Sequence, residues 1–139
     1  MKELNFDTGL VSYTLNGKVE VVFNPTDAAF VERLFKTFDA LDKADEERKA
    51  EAARTAGKRE VFELARKRDA EMRSMIDGAM GQPVCGELFG DMNVYALADG
   101  LPVWCNLMFA IMDEIDTSLS REQKAANPRI QKYTAKYHK

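Results

Sequence analysis

Residues 26–77 read TDAAFVERLFKTFDALDKADEERKAEAARTAGKREVFELARKRDAEMRSMID, 52 residues with no proline and a single glycine, Gly57. Most of this stretch has high helical propensity. As one straight rod it would be about 78 Å long at 1.5 Å per residue, whereas a compact globule of this chain length is only about 35–40 Å across. The rod therefore doubles back near its charged middle, or it projects and packs against another copy or a partner. Phe30, Val31, Leu34, Phe35, Phe38 and Leu41 recur at helical spacing and form one broad apolar stripe, read as core rather than as a ligand box. Residues 42–60 then hold charges of both signs and no apolar residue larger than alanine. That segment is either a pair of solvated helix ends around a turn near Ala56-Gly57 or a projecting helical arm. Val61, Phe62, Leu64, Ala65, Met72, Met75, Ile76 and Ala79 restore the stripe on a second helix, which Gly78 to Gly81 end.

Upstream, residues 10–15 and 18–23 flank Asn16-Gly17, the pair that best accepts the two positive φ angles of a type I′ turn. This predicts an antiparallel β-hairpin. Two-residue closure pairs Leu15 with Lys18 and puts Leu10, Ser12, Thr14, Val19, Val21 and Phe23 on one face. The other face holds Val11, Tyr13, Leu15 and Val22, so the hairpin is apolar on both sides and needs two coverings. Leu4, Asn5 and Phe6 alternate in polarity, which is compatible with a third strand. Helix entry is marked by Asn24 as cap, Pro25 in the first turn and Asp27 beside the dipole.

Beyond Gln82 the composition turns to loop, with Pro83, Gly86 and Gly90, and Asp99-Gly100-Leu101-Pro102 is a turn signal. Residues 93–97 are read as strand or helical turn. Pro102 opens a helix whose Val103, Trp104, Leu107, Met108, Ala110, Ile111 and Ile115 cover more than half its circumference, which suits a central core or an interface. A last short helix starts at Ser118 and stops before Asn127-Pro128. The expectation is one α+β domain over residues 1–120: a hairpin region (1–24), a long helical pair (25–81), and a loop with an apolar helix (82–120). Residues 121–139 form a basic tail.

That tail carries a net +5, so residues 1–120 carry −8 of the total of −3. Arg129, Lys132, Tyr133, Lys136, Tyr137 and Lys139 could contact nucleic acid, or the tail could fold onto an acidic face of its own or a neighbouring subunit. The inventory excludes several chemistries. The only histidine is His138, so neither a Ser-His-Asp nor a Cys-His arrangement can be built in a rigid site. Cys85 and Cys105 stand alone, which argues against a disulfide framework or zinc site and for a reducing, cytoplasmic setting. Cys105 reads as a buried small hydrophobe. Gly78 to Gly81 and Gly86 to Gly90 lack the Lys-Ser/Thr ending of a phosphate loop. Asp91, Asp113, Glu114 and Asp116 read as surface carboxylates, with a divalent-metal site as the competing reading. The longest apolar stretch, residues 107–112, falls far short of a membrane span. No cofactor and no membrane partner are implied.

The string FGDMNVYALADGLPVWCNLMFAIMDEID at residues 89–116, with Asn24-Pro25-Thr26-Asp27 and the charged helix, resembles a family of small proteins of phages and prophages of Gram-positive bacteria, some of them similar to tail-morphogenesis components or tail-assembly chaperones. The resemblance implies a non-enzymatic structural or assembly role in the bacterial cytoplasm or with the virion, through self-association or contact with phage structural proteins. It brings no catalytic or binding residue. The candidate interface read from the residues is Val11, Tyr13, Leu15, Val22, Trp104 and Met108. The competing reading is a nucleic-acid-associated regulator acting through the tail.

Overall fold

A computed structural model of the chain describes residues 1–125. Its architecture is α+β: a hairpin of β1 (Val11–Leu15) and β2 (Val19–Phe23), the helices α1 (Ala28–Arg54) and α2 (Lys58–Met80), a short α3 (Cys85–Phe89), a two-residue ladder of β3 (Leu97–Ala98) with β4 (Leu101–Pro102), and α4 (Val103–Lys124).

The hairpin turn adopts the expected positive φ angles, 52° at Asn16 and 68° at Gly17, and Lys18 N donates to Leu15 O at 3.0 Å. The pairing differs from the two-residue expectation, because Leu15 stands opposite Val19 and Lys18 is left out of the ladder. A slip of one residue moves every side chain of a strand to the opposite face. Two-residue closure would oppose Tyr13 to Glu20 and Ser12 to Val21, mixing polarity on both faces. The observed register opposes Val11 to Phe23, Tyr13 to Val21 and Leu15 to Val19 on one face, and leaves Ser12, Thr14 and Glu20 with Val22 on the other. Burial of three apolar pairs thus decides the register, and the hairpin is apolar on one side, needing one covering. Tyr13 stacks on Phe23 at 4.7 Å and Phe23 on Phe30 at 4.4 Å between ring centroids, which ties the sheet to the start of α1. Residues 1–10 form no strand, and Leu4 and Phe6 are 84% and 82% exposed.

The N-cap of α1 is Asp27, whose carboxylate accepts from Ala29 N at 3.0 Å, while Asn24 Oδ1 takes the amide and hydroxyl of Thr26 in a preceding turn, both at 2.8 Å. The cap therefore falls three residues later than Asn24. Between α1 and α2 the chain doubles back at Thr55-Ala56-Gly57, with φ of 94° at Gly57. The helices run antiparallel: Arg33 Nε donates to Ala79 O at 2.9 Å at one end, and Arg68 Nη2 reaches Glu51 at 2.6 Å near the other. The charged segment is thus paired ends around a turn, and its length stays within the fold.

The helix α4 is continuous to Lys124, through Ser118 and past residue 120. Ser118 is buried within it, and its hydroxyl is satisfied by Glu114 Oε1 at 3.0 Å, so no break is needed. Its first amides are met by backbone, Val103 N to Ala96 O at 2.8 Å and Trp104 N to Val94 O at 3.2 Å. The core gathers Val21, Phe23, Leu34, Leu41, Met72, Ile76, Val94, Trp104, Met108 and Ile115 from every main element.

Candidate functional site

A cleft of about 480 Å³ opens between the hairpin turn, α3 and the first half of α4. Leu88 and Leu107 form buried parts of its wall, with Leu15, Phe89 and Val103 half-buried beside them. Asn16, Lys18, Met92 and Ala110 are exposed at its edge.

The cleft is shaped by polar groups that lie behind it. A five-residue helix cannot hold itself in water, and α3 is pinned by Asp77, whose Oδ1 accepts from Val84 N at 2.9 Å and Cys85 N at 3.0 Å. Arg73 Nη2 donates to the carbonyls of Gly90 and Met92, both at 2.7 Å, and its Nε meets Asp69 Oδ2 at 2.9 Å. The other oxygen of Asp69 accepts from Val94 N at 2.8 Å. Through this pair α2 positions the whole segment that carries Phe89 and Met92. Across the cleft, Asn106 Nδ2 donates to Ala98 O at 2.9 Å and joins α4 to the small ladder.

Lys18 is the one ionisable side chain in the lining, and no nucleophile stands beside a base there. An apolar wall with a few polar groups at the edge suits an apolar side chain delivered by a partner. A second depression of about 540 Å³ between α1 and α2 is shallow, lined by Ala29, Ala40, Gly78 and Ala79, with the Lys36–Glu32 pair at its edge at 2.8 Å.

A polar cluster lies inside the helix pair. Asp45 is buried and is met by Arg48 at 3.2 Å and Lys49 at 3.5 Å, and the Arg48 guanidinium lies 4.4 Å over the ring of Tyr95. Burial, and secondly the charge of Asp45, pushes the Tyr95 hydroxyl up to about 12. Arg68 reaches Glu47 and Glu71 as well as Glu51, and its hydrogen bond holds Glu51 below its usual value. The Tyr95 hydroxyl, Arg68 Nε and Trp104 Nε1 are buried and find no partner among the described residues. These groups stitch α1 to α2 and to residue 95, a structural task.

The candidate interface residues do not form one surface. Trp104 and Met108 lie in the core, 2% and 1% exposed, and Tyr13 and Leu15 pack against it. Val11 and Val22 remain exposed, on opposite faces of the hairpin. Glu114 is engaged by the Tyr13 hydroxyl at 3.3 Å and by Ser118, while Asp91, Asp113 and Asp116 are exposed. Among the described residues no three His, Cys, Asp or Glu side chains are grouped to share an ion. The tail residues Arg129, Lys132, Tyr133, Lys136, Tyr137 and Lys139 lie outside the described residues. Leu88, Phe89 and Met92 are the cleft residues that sequence reading missed, because α3 is too short to show a period.

No protein-family model, curated protein or solved structure matches the chain. Among the described residues no helix is long and apolar enough to cross a membrane.

Proposed function

We propose that the chain is a non-enzymatic assembly protein that works by protein–protein contact and associates with copies of itself. The observation that carries this reading is the apolar cleft, whose lining offers Lys18 alone for acid–base work. The occupant is the N-terminal segment of a second copy. Met1, Leu4 and Phe6 are the most exposed large apolar side chains of the described residues and supply the matching chemistry. The resemblance to phage and prophage proteins gives the setting: tail morphogenesis, in the cytoplasm of a bacterial host and then with the virion.

Light scattering on the purified chain tests the reading. The expected result is an oligomer whose mass falls on removing residues 1–6 and on Ala110→Arg, which extends a long cation into the cleft from an exposed helical position. A monomer at high concentration, with no affinity for virion proteins, would overturn it.

A further inference from the structure

The outer edge of β1 runs beside the cleft and has no strand paired with it. Residues opposed in an antiparallel ladder either bond each other or both turn their backbone groups outward. The Glu20 carbonyl turns outward, since it accepts from Gln82 Nε2 at 2.9 Å, and Thr14 stands opposite Glu20. Thr14 and, two positions along, Ser12 therefore present their amides and carbonyls at the β1 edge, where no backbone group of another described element meets them. Gln82 covers part of the β2 edge, and the β1 edge is bare. β1 is also the more open strand: Val19, Val21 and Phe23 are buried, whereas Val11 is 40% exposed and Tyr13 and Leu15 are half-buried. Thr14 and Leu15 point to opposite faces yet both line the cleft, and no residue of β2 does, so the cleft lies against this edge.

We infer that residues 3–7 of a second copy join the hairpin as a third strand, antiparallel to β1, and that this backbone pairing carries Leu4 into the cleft. The pairing presupposes the proposed occupant of the cleft and adds how it is held there. Leu4, Asn5 and Phe6 alternate in polarity. With Leu4 opposite Leu15 and Phe6 opposite Tyr13, both apolar side chains extend the apolar face, while Asn5 and Asp7 exchange backbone bonds with Thr14 and Ser12. The same register brings Glu3 beside the turn, where Lys18 is exposed and makes no ion pair with a described residue within 4.0 Å. A parallel strand would place Glu3 away from that cation. Residues 1–6 are available, because among the described residues none hydrogen-bonds them. Within their own chain they are led elsewhere: Asn24, the residue after β2, holds the Thr8 carbonyl through Nδ2 at 2.9 Å. Strand addition of this kind takes its affinity from the main chain and its specificity from pockets that receive alternate side chains, and it covers an edge that would otherwise pair without selection.

The test titrates the full chain, dilute enough to be dissociated, into a synthetic peptide of residues 1–8 labelled at its C-terminus, with binding read by fluorescence anisotropy. In the inferred register the Asn5 amide points at β1 and the Leu4 amide points away. N-methylation at Asn5 is expected to weaken binding about tenfold, and at Leu4 by less than about twofold, with every side chain unchanged. Equal losses at the two positions, or no binding by the unmethylated peptide, overturn the inference. Hydrogen exchange on the full chain gives a second reading. The Ser12 and Thr14 amides are expected to slow about tenfold as the oligomer forms. Free exchange of both in the oligomer overturns the pairing, and slow exchange that does not depend on concentration overturns it in favour of the segment of the same chain. An oligomer that is lost on removing residues 1–6, yet shows no difference between the two methylated peptides, keeps the cleft reading and overturns the β1 pairing alone. A chain that stays monomeric at high concentration overturns both.

Discussion

Burial decides the chemistry of individual side chains here. Cys85 is 1% exposed, and burial, then the hydrogen bond and charge of Asp77, pushes its thiol from 9.0 to about 12. Cys105 is pushed up by burial too. The thiolate is the reactive species, so maleimide near neutral pH is expected to leave both thiols unlabelled in the folded chain and to label both in denaturant. Fast native labelling of Cys85, read by mass spectrometry, would contradict its position. Tyr95 and Cys85 also set an alkaline limit. Their folded values lie above their ordinary ones, 10.0 and 9.0, so the fold favours the neutral forms. That contribution is complete below the ordinary values and is lost as pH rises from 9.0 towards about 12. Melting temperature should therefore fall across that interval. Tyr95→Phe should lessen the fall while changing neutral-pH stability by less than about 0.5 kcal/mol, since the hydroxyl has no partner to lose.

Among the elements, the hairpin shows where local and non-local preferences part. Asn16-Gly17 announces the turn and its φ angles, and both are as expected. Register is not written in the turn, because three apolar pairs outweigh the tighter closure. Deleting Lys18 should consequently be tolerated: it returns the loop to two residues and preserves the pairs Leu15–Val19, Tyr13–Val21 and Val11–Phe23. Deleting Glu20 from within the ladder should not be, since it sends Val19 to the other face from Val21 and Phe23. Circular dichroism melts of the two deletions distinguish the cases. The stripes of α1, α2 and α4 were legible because each spans many helical turns. The cap at Asp27 and the five-residue α3 were not. Asn24 is as good a cap by type as Asp27, and α3 depends on Asp77 and Arg73 from another element. The cleft inherits that illegibility, because Leu88, Phe89 and Met92 of its wall belong to α3 and the segment after it.

At the scale of the molecule, the question posed by the long helical stretch is answered by an antiparallel pair whose stability is uneven along its length. Buried apolar residues of α1 end at Ala44 and those of α2 begin at Leu64, so the far end is held by ion pairs around Arg68. Exposed or half-exposed ion pairs contribute little. Hydrogen exchange should show residues 46–63 opening far more often than residues 30–44 and 72–79, with added salt widening the gap; uniform protection along both helices would refute this. Trp104→Ala, at the junction of α1, α4 and residue 94, should cost about 3–5 kcal/mol in a denaturant titration.

The bond from Tyr13 to Glu114 spans 101 positions of the chain. It also sets a timetable. During synthesis the hairpin can close as soon as it emerges, yet the helix that covers its apolar face begins at Val103, eighty positions after Phe23. At about 5–20 residues per second, that is roughly 4–16 s of growth. For those seconds Val19, Val21 and Phe23 lack their final neighbour on every nascent chain, and the face stays open until α4 is made.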